Sequence, residues 1–406
     1  MKKIFIRLLK ISSLLTALLL TVGASILFGT SYGHNLRVIA AESILTSQHP
    51  QYAKITLLSD NELNDISQSI TNPKWKNSEF ANTKLSKQEL ERKKNLPLTV
   101  SIETVKKKYN DHFFEGKLMT INNPLNVKLV TQQGSQGKDV GEKIYVIAKR
   151  NHALAAVNAS GFWDETGHGG GKTGIGIVME NGKVINTPQD INTPTLVSGL
   201  TKYGQMVSGE FSANQLLNKN VVSAAGFMPQ LIVNGEKMIT NDGGWGYGPR
   251  SIMAQKKDGS IMFFIIDGRQ PHSIGASLRD CQDILYEKGA INAMAMDGGS
   301  SATLYAMGDI LNIPSTLSHK SRYLPNAWIV TANPKQQVHV TIDGSPASSQ
   351  KISEMTGSTA VAINKKERMT IQSSVLFYYF LKIPNGFPTG NTTFPKCVFN
   401  TAAAEP

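Results

Sequence analysis

The sequence predicts an α/β or α+β protein, in which a mixed β-sheet domain with a few packed helices follows an N-terminal membrane anchor and a helical cap. Three observations predict it. Apolar runs of strand length recur at 153–157, 260–266 and 290–296, each ending in polar residues and glycine. A helix signal lies between the last two runs, as a strand–helix–strand unit requires. A long uncharged, leucine-rich segment stands at the N-terminus, ahead of a polar stretch with two helix-start patterns.

The elements follow in chain order. Lys2, Lys3, Arg7 and Lys10 precede Ile11 to Phe28, a charge-free stretch about as long as a membrane span or an export signal. Basic residues ahead of a span keep the N-terminus in the cytoplasm, so the body is expected to be exported and extracytoplasmic. The small-residue exit Val38-Ile-Ala40 lies well beyond the apolar stretch. A retained anchor over 1–34 is therefore favoured, with secretion after cleavage as the alternative.

Residues 35–113 read as a helical stalk or cap, because Ser59-Asp-Asn-Glu62 and Ser86-Lys-Gln-Glu89 both have the capping-box form. The clusters Arg92-Lys-Lys94 and Lys106-Lys-Lys108 read as solvated helical faces. The main domain is placed at 114–332. Residues 333–406 change character to Ser- and Thr-rich sequence with a Gly-, Pro- and Asn-rich end, and read as an irregular tail.

The most informative stretch is Ala290-Ile-Asn-Ala-Met-Ala-Met-Asp-Gly-Gly-Ser-Ser301. It reads as a buried strand delivering Asp297 to a tight turn. There Gly298 and Gly299 permit positive φ or close approach to a ligand, and Ser300 and Ser301 supply short hydrogen-bonding groups. The run 260–266 likewise delivers Asp267 and Arg269. The helix between them starts at Ser277-Leu-Arg-Asp280, repeats Leu278, Cys281 and Leu285 at helical spacing, and ends at Gly289. Such a unit brings both strand exits to one sheet edge, where ligand sites form. The run 153–157 leads into Asn158-Ala-Ser-Gly-Phe-Trp-Asp164, where Trp163 is either wall or a sugar-stacking ring. Arg250 lies between a Gly- and Pro-rich loop and the strand beginning Ile252, a position suited to clamping an anion.

In this order, Asn158-Ala-Ser-Gly-Phe-Trp-Asp164, Asn181-Gly182, Leu231-Ile-Val-Asn-Gly235, Gly248-Pro-Arg-Ser251, Asp267-Gly-Arg269, Asp297-Gly-Gly-Ser-Ser301, Asn312-Ile-Pro-Ser315 and Arg322 with Asn326-Ala327 resemble the phosphodiester glycosidase family. The resemblance runs from about Phe114 to Ala332. It implies hydrolysis of a glycosyl phosphodiester, in cell-envelope or exopolysaccharide metabolism. Asp297 is the expected essential carboxylate and Asp267 the second. Arg250 and Arg269 are the expected phosphate clamp, and Asn158, Ser300, Ser301, Gly298, Gly299, Trp163 and Arg322 complete the expected substrate site. The first motif departs from the family's Asn-Gly-Gly-Phe-Phe-Asp at Ala159, Ser160 and Trp163, which bears on pocket shape. The competing reading is a non-catalytic envelope protein that binds polysaccharide or teichoic acid during assembly.

Other classes fit less well. The formal charge of +12 suits a glycosyl-phosphate or anionic polysaccharide partner. It would suit nucleic acid too, yet no dense basic run interleaved with aromatics is present, so no nucleic-acid partner is expected. Two cysteines and eight histidines without ligand-like spacing argue against a metal site, and no cofactor is expected. Thr166-Gly-His-Gly-Gly-Gly-Lys-Thr173 approaches a P-loop but lacks its first glycine, and Gly174 to Met179 with Glu180-Asn-Gly182 reads as a strand and hairpin turn rather than the required helix.

Overall fold

A computed structural model describes residues 2–47, 49–79, 85–135, 139–163, 170–357 and 361–362. The central layer is a ten-stranded sheet. Its order from one edge is 236–237, 230–233, 290–296, 250–256, 261–266, 113–121, 98–108, 337–342 and 345–346, and 361–362 also pairs with 337–342. The strands that matter below are β1 (Leu98–Lys108), β2 (Phe113–Ile121), β3 (Arg250–Lys256), β4 (Ile261–Ile266) and β5 (Ala290–Met296). Neighbours among them are antiparallel, whereas β1 and 337–342 run parallel, so the sheet is mixed. Two five-stranded sheets and a two-stranded pairing of 142–143 with 323–324 accompany it among the described residues. One contains Ala155–Asn158 between 304–306 and 326–330, and the other is built from 178–226.

The apolar run of β4 has no polar alternation because both of its faces are buried. Ile261, Phe263 and Ile265 point into the core shared with Trp328, Met253 and Met294. Met262, Phe264 and Ile266 point to the opposite face, beneath the helix Leu278–Glu287 and its Cys281, Ile284 and Leu285. In β5 the split is by size as well. Met294 and Met296 fill the first core, while Ala290, Ala293 and Ala295 face the helix and let it approach closely. The helix starts as its sequence signalled, with a capping box between Ser277 and Asp280, and Gly289 follows its end at φ 89°. Asn181 and Gly182 both take positive φ in the hairpin joining 178–180 to 183–186, so the glycine-rich stretch continues into a strand and no helix opens there.

β3 lies between β4 and β5 and is antiparallel to both. Arg250 pairs with Ile266, and Ser251 pairs with Met296. The exits of β4 and β5 and the entry of β3 therefore meet at one edge, which gathers Asp267, Asp297 and Arg250 as the strand–helix–strand reading required.

Two expectations change. Lys106-Lys-Lys108 does not lie on a helix; it is the outer end of β1, which alternates buried Leu98, Val100 and Ile102 against exposed residues and so belongs to the sheet. Arg92-Lys-Lys94 does lie in a helix, Lys87–Lys94. The stretch after Asn333 is not irregular throughout, since Gln337–Ile342 extends the sheet and Ser349–Thr356 is a helix. The apolar segment 375–381 and Cys397 lie outside the described residues, as do Asp164 and His168.

At the N-terminus, the helix α1 (Lys2–Gly29) contains an apolar stretch, Ile4–Gly29, long and apolar enough to cross a membrane. It is followed by α2 (Ser31–Leu45), capped by the Thr30 hydroxyl. Both capping boxes foreseen downstream form, at Ser59 with Glu62 and at Ser86 with Glu89.

Candidate active site

The site is built on the turn that leaves β5. Gly299 takes φ 56°, and a side chain on Gly298 would strike the Pro249 carbonyl oxygen at 2.7 Å, so both glycines are required for this path. The turn is tied on both sides. The Asp297 amide donates to Ala159 O at 3.0 Å, and Asn158 Nδ2 donates to Asp297 O at 2.6 Å. Asn158 Oδ1 accepts from Ser251 Oγ and from the Thr303 amide, both at 3.1 Å. Asn158 thus links three strand ends, and its amide is spent on framework.

Asp297 is half-buried at the start of this turn. Burial pushes its carboxyl up to about 6, against the opposing pull of the Ser301 hydroxyl and the Arg322 charge. Arg322 Nη1 donates to Ser300 Oγ at 3.0 Å, and its guanidinium stacks over the Phe162 ring at 4.5 Å. Phe162 thus supports a cation. Trp163 is 73% exposed. The motif departure at Ser160 is absorbed locally, because its amide and hydroxyl both donate to Asn326 Oδ1, at 2.9 and 3.1 Å.

The two arginines of the expected clamp differ. Arg250 is 7% exposed, and its guanidinium donates to Ala276 O at 3.0 Å, Trp245 O at 2.9 Å and Gly246 O at 2.6 Å. It pins the glycine-rich loop beneath Trp245. Burial lowers it to about 10, with the neighbouring Arg269 acting in the same direction. Arg269 takes φ 57° and is exposed. A side chain on Gly299 would meet its Nη1 at 3.6 Å, and one on Gly248 would meet its Nη2 at 3.8 Å, so its fork lies over the Asp297 turn. Nη2 also donates to Ser43 O in α2 at 3.3 Å.

Asp267 is 5% exposed and both its oxygens are engaged. Oδ1 accepts from Asn312 Nδ2 and the Ile313 amide at 3.0 Å, and Oδ2 lies 3.1 Å from His272 Nε2. Burial raises its carboxyl despite these bonds. It organises the 312–313 loop beside the turn.

Sequence reasoning missed the aromatic wall of Phe227 and Trp245, whose rings meet edge-on at 6.3 Å. It also missed the seating of α2, where buried Glu42 accepts from the Gly246 amide at 3.0 Å and Ser43 Oγ donates to Tyr247 O at 3.2 Å. Trp245 within a glycine-rich loop was a visible signal for the first. The second had none, since Glu42 is one carboxylate among thirty acidic residues.

The model of the family described as phosphodiester glycosidase matches residues 151–331, the stretch that carries the turn, both arginines and Arg322. The resemblance carried by the ordered motifs is therefore borne out over this stretch, which is similar to phosphodiester glycosidases. Among curated proteins the chain is similar to a SPbeta prophage-derived uncharacterized protein, YomE, of Bacillus subtilis (strain 168), 27% identical over 180 residues, which are 42% of this chain. The chain spans 27% of the length of that relative. Among solved structures it is similar to the catalytic domain of zebrafish N-acetylglucosamine-1-phosphodiester alpha-N-acetylglucosaminidase, auto-inhibited by its pro-peptide. That likeness has a TM-score of 0.49 and 20% identity, over 63% of this chain and 87% of that one. A hypothetical protein from Synechocystis gives a TM-score of 0.42 at 18% identity, over 56% of this chain and 61% of that one.

Proposed function

We propose that the protein hydrolyses a glycosyl phosphodiester in the cell envelope, with Asp297 as the catalytic carboxylate. The observation that carries this is a carboxyl pushed up to about 6 at a glycine turn, with the Arg269 fork over the turn and the Arg322 charge beside it. In the reaction a water oxygen bonds to the anomeric carbon, and the bond from that carbon to the phosphate oxygen breaks with its electron pair going to phosphate. The products are a reducing sugar and a phosphomonoester. A phosphate departs without a proton if its charge is held, so the carboxylate works ionised. It takes the proton of the attacking water and faces the positive character that develops on the sugar. Arg269 supplies the charge that holds the phosphate.

Asn158, Ser300, Ser301, Gly298 and Gly299 shape the turn that presents Asp297, and Trp163 offers an open ring to the sugar. Asp267 and Arg250 are positioning residues in this scheme, the first for the 312–313 loop and the second for the loop under Trp245. In this reading α1 exports and tethers the chain, with the site outside the cytoplasm near envelope glycans; the apolar stretch Ile4–Gly29 supports it.

The test is incubation of the full-length protein in detergent with a panel of sugar-1-phosphodiesters, measuring free reducing sugar. Turnover that disappears in Asp297→Asn supports the proposal. Binding of intact diesters with no turnover by the wild type would replace it with the assembly-protein reading.

A further inference from the structure

Beside the site, the β1–β2 hairpin carries a groove of about 380 Å³ lined by Lys106, Lys107, Lys108, Phe113, Glu115 and His272. We propose that this groove binds the continuing chain of a phosphate-linked glycan, so that the substrate is an anionic polymer rather than a small diester. The proposal rests on the hydrolytic reading above and names its substrate class.

Three features support it. The first is charge. Lys106 pairs with Glu115 at 2.8 Å, which leaves Lys108 exposed on the same face without an opposing carboxylate among the described residues, whereas Lys107, opposite buried Phe114, stands on the other face of the strand. In the antiparallel register Lys108 stands opposite Phe113, which puts a cation and a half-open aromatic ring on the same face. Cation and ring suit a phosphate and a sugar in succession.

The second is placement. The loop 267–274 separates the groove from the Asp297 turn, and its two sides face different ways. His272 lines the groove, whereas Arg269 lies against Gly299 and Gly248. Arg269 and His272 are three residues apart, so their Cα atoms lie within about 11 Å of each other and the turn side and the groove side of this loop are close neighbours.

The third is rigidity. The loop is bound to the hairpin by the Ile274 amide to Phe113 O at 3.0 Å, the Glu115 amide to Ser273 Oγ at 3.1 Å and the Asp267 amide to Glu115 O at 2.9 Å. The spacing between groove and turn is therefore fixed by the fold. The size falls in the range of preformed ligand clefts.

The experiment compares synthetic glycosyl-phosphate oligomers of one and four repeating units, and a neutral oligomer of the same length, on the full-length protein and on a Lys106→Glu, Lys108→Glu double variant. Turnover is followed with active protein, and binding by fluorescence anisotropy with the same charge reversals made in an Asp297→Asn background. The expected result is a KM for the tetramer well below that for the monomer. In the double variant the tetramer-to-monomer KM ratio should rise about tenfold, as two reversed surface charges allow, and the wild-type preference should fade in high salt. The neutral oligomer should gain nothing from length. Equal KM values for monomer and tetramer, or a length preference unmoved by the charge reversals, would overturn the groove while leaving hydrolysis intact. Absence of turnover on both oligomers, with length- and lysine-dependent anisotropy retained, would overturn hydrolysis and keep the groove as a binding site for anionic glycan.

Discussion

Two residues of similar sequence context do different work in the fold. Asp297 and Asp267 both follow apolar strands, but the first is half-buried at the glycine turn beside Arg322 and the second spends both oxygens on Asn312, Ile313 and His272. Asp297→Asn should lower turnover by about a hundredfold or more, the usual worth of a positioned acid–base group. The wild-type kcat/KM should rise with pH through about 6, because the carboxylate works ionised. A raised carboxyl also costs stability once both folded and unfolded chains are above their pKa values. Asp297→Asn should therefore keep or raise the Tm at pH 8 and lose that advantage below pH 4. A flat pH profile between 5 and 7 would remove Asp297 from the chemistry. The arginines separate in the same way. Arg250→Lys cannot keep three carbonyl bonds and should lower stability by about 2–3 kcal/mol, read in a denaturation curve. Arg269→Lys should leave the Tm unchanged and reduce activity on phosphodiesters by at least tenfold, since a point charge does not reproduce the fork. Sequence reading named both arginines together as a clamp. It could not rank them, because which carbonyls Arg250 meets depends on the path of the 245–249 loop.

At the scale of elements, the strands and helix around the site were legible because their signals are local. The continuous apolar run of β4, the small residues of β5, and Ser277 with Gly289 around the helix each state their environment. The β1–β2 hairpin was misread because three consecutive lysines dominate its outer half. Its inner half carries the period-two alternation Leu98, Val100, Ile102 that marks a strand. What fastens that hairpin to the body is a cluster no local pattern shows. His112 stacks between Tyr109 and Tyr247 at 4.6 and 4.0 Å, with Asp111 and Asp280 at its two nitrogens, 2.9 and 3.0 Å away. Burial opposes the charged ring, yet the bonds with Asp280 and Asp111 together raise its pKa above the ordinary value of 6.5. The stabilisation is thus fully present below the unfolded value and is lost as pH rises through the folded one. Wild-type stability should decline as pH rises above about 6.5, with a slope that His112→Asn removes, at a cost of about 2 kcal/mol at pH 6. A His112→Asn variant with the same pH slope as wild type would show that other groups set it.

Across the whole molecule, the question is how the N-terminal helices relate to the body. Composition announced α1 as an export or anchor segment and the next stretch as a helical cap, both from uninterrupted patterns that need no tertiary information. The seating of α2 on the site was not legible, because it depends on single contacts between distant residues. Glu42 is 6% exposed and accepts from the Gly246 amide, with Asp242 and Arg250 nearby. The small-residue exit Val38-Ile-Ala40 lies inside this helix, so a chain cut there would keep Glu42 and Ser43 but lose most of α2. A retained anchor predicts full-length protein in the membrane fraction, and N-terminal sequencing that began at Ala41 would refute it. Burial and then Asp242 push the Glu42 carboxyl up to about 7 from 4.5, outweighing the Gly246 amide and Arg250. A carboxyl raised in the fold loses stability as pH climbs from the unfolded to the folded value, so the seat of α2 is tightest in acid and weakest above pH 7. Glu42→Gln keeps the shape and removes the charge. It should raise the Tm and slow hydrogen exchange across 31–45 at pH 8, while matching wild type near pH 4.5. A lower Tm at pH 8 would instead make the ionised carboxylate a necessary partner of Arg250 and reverse the sign of the pH effect on this contact.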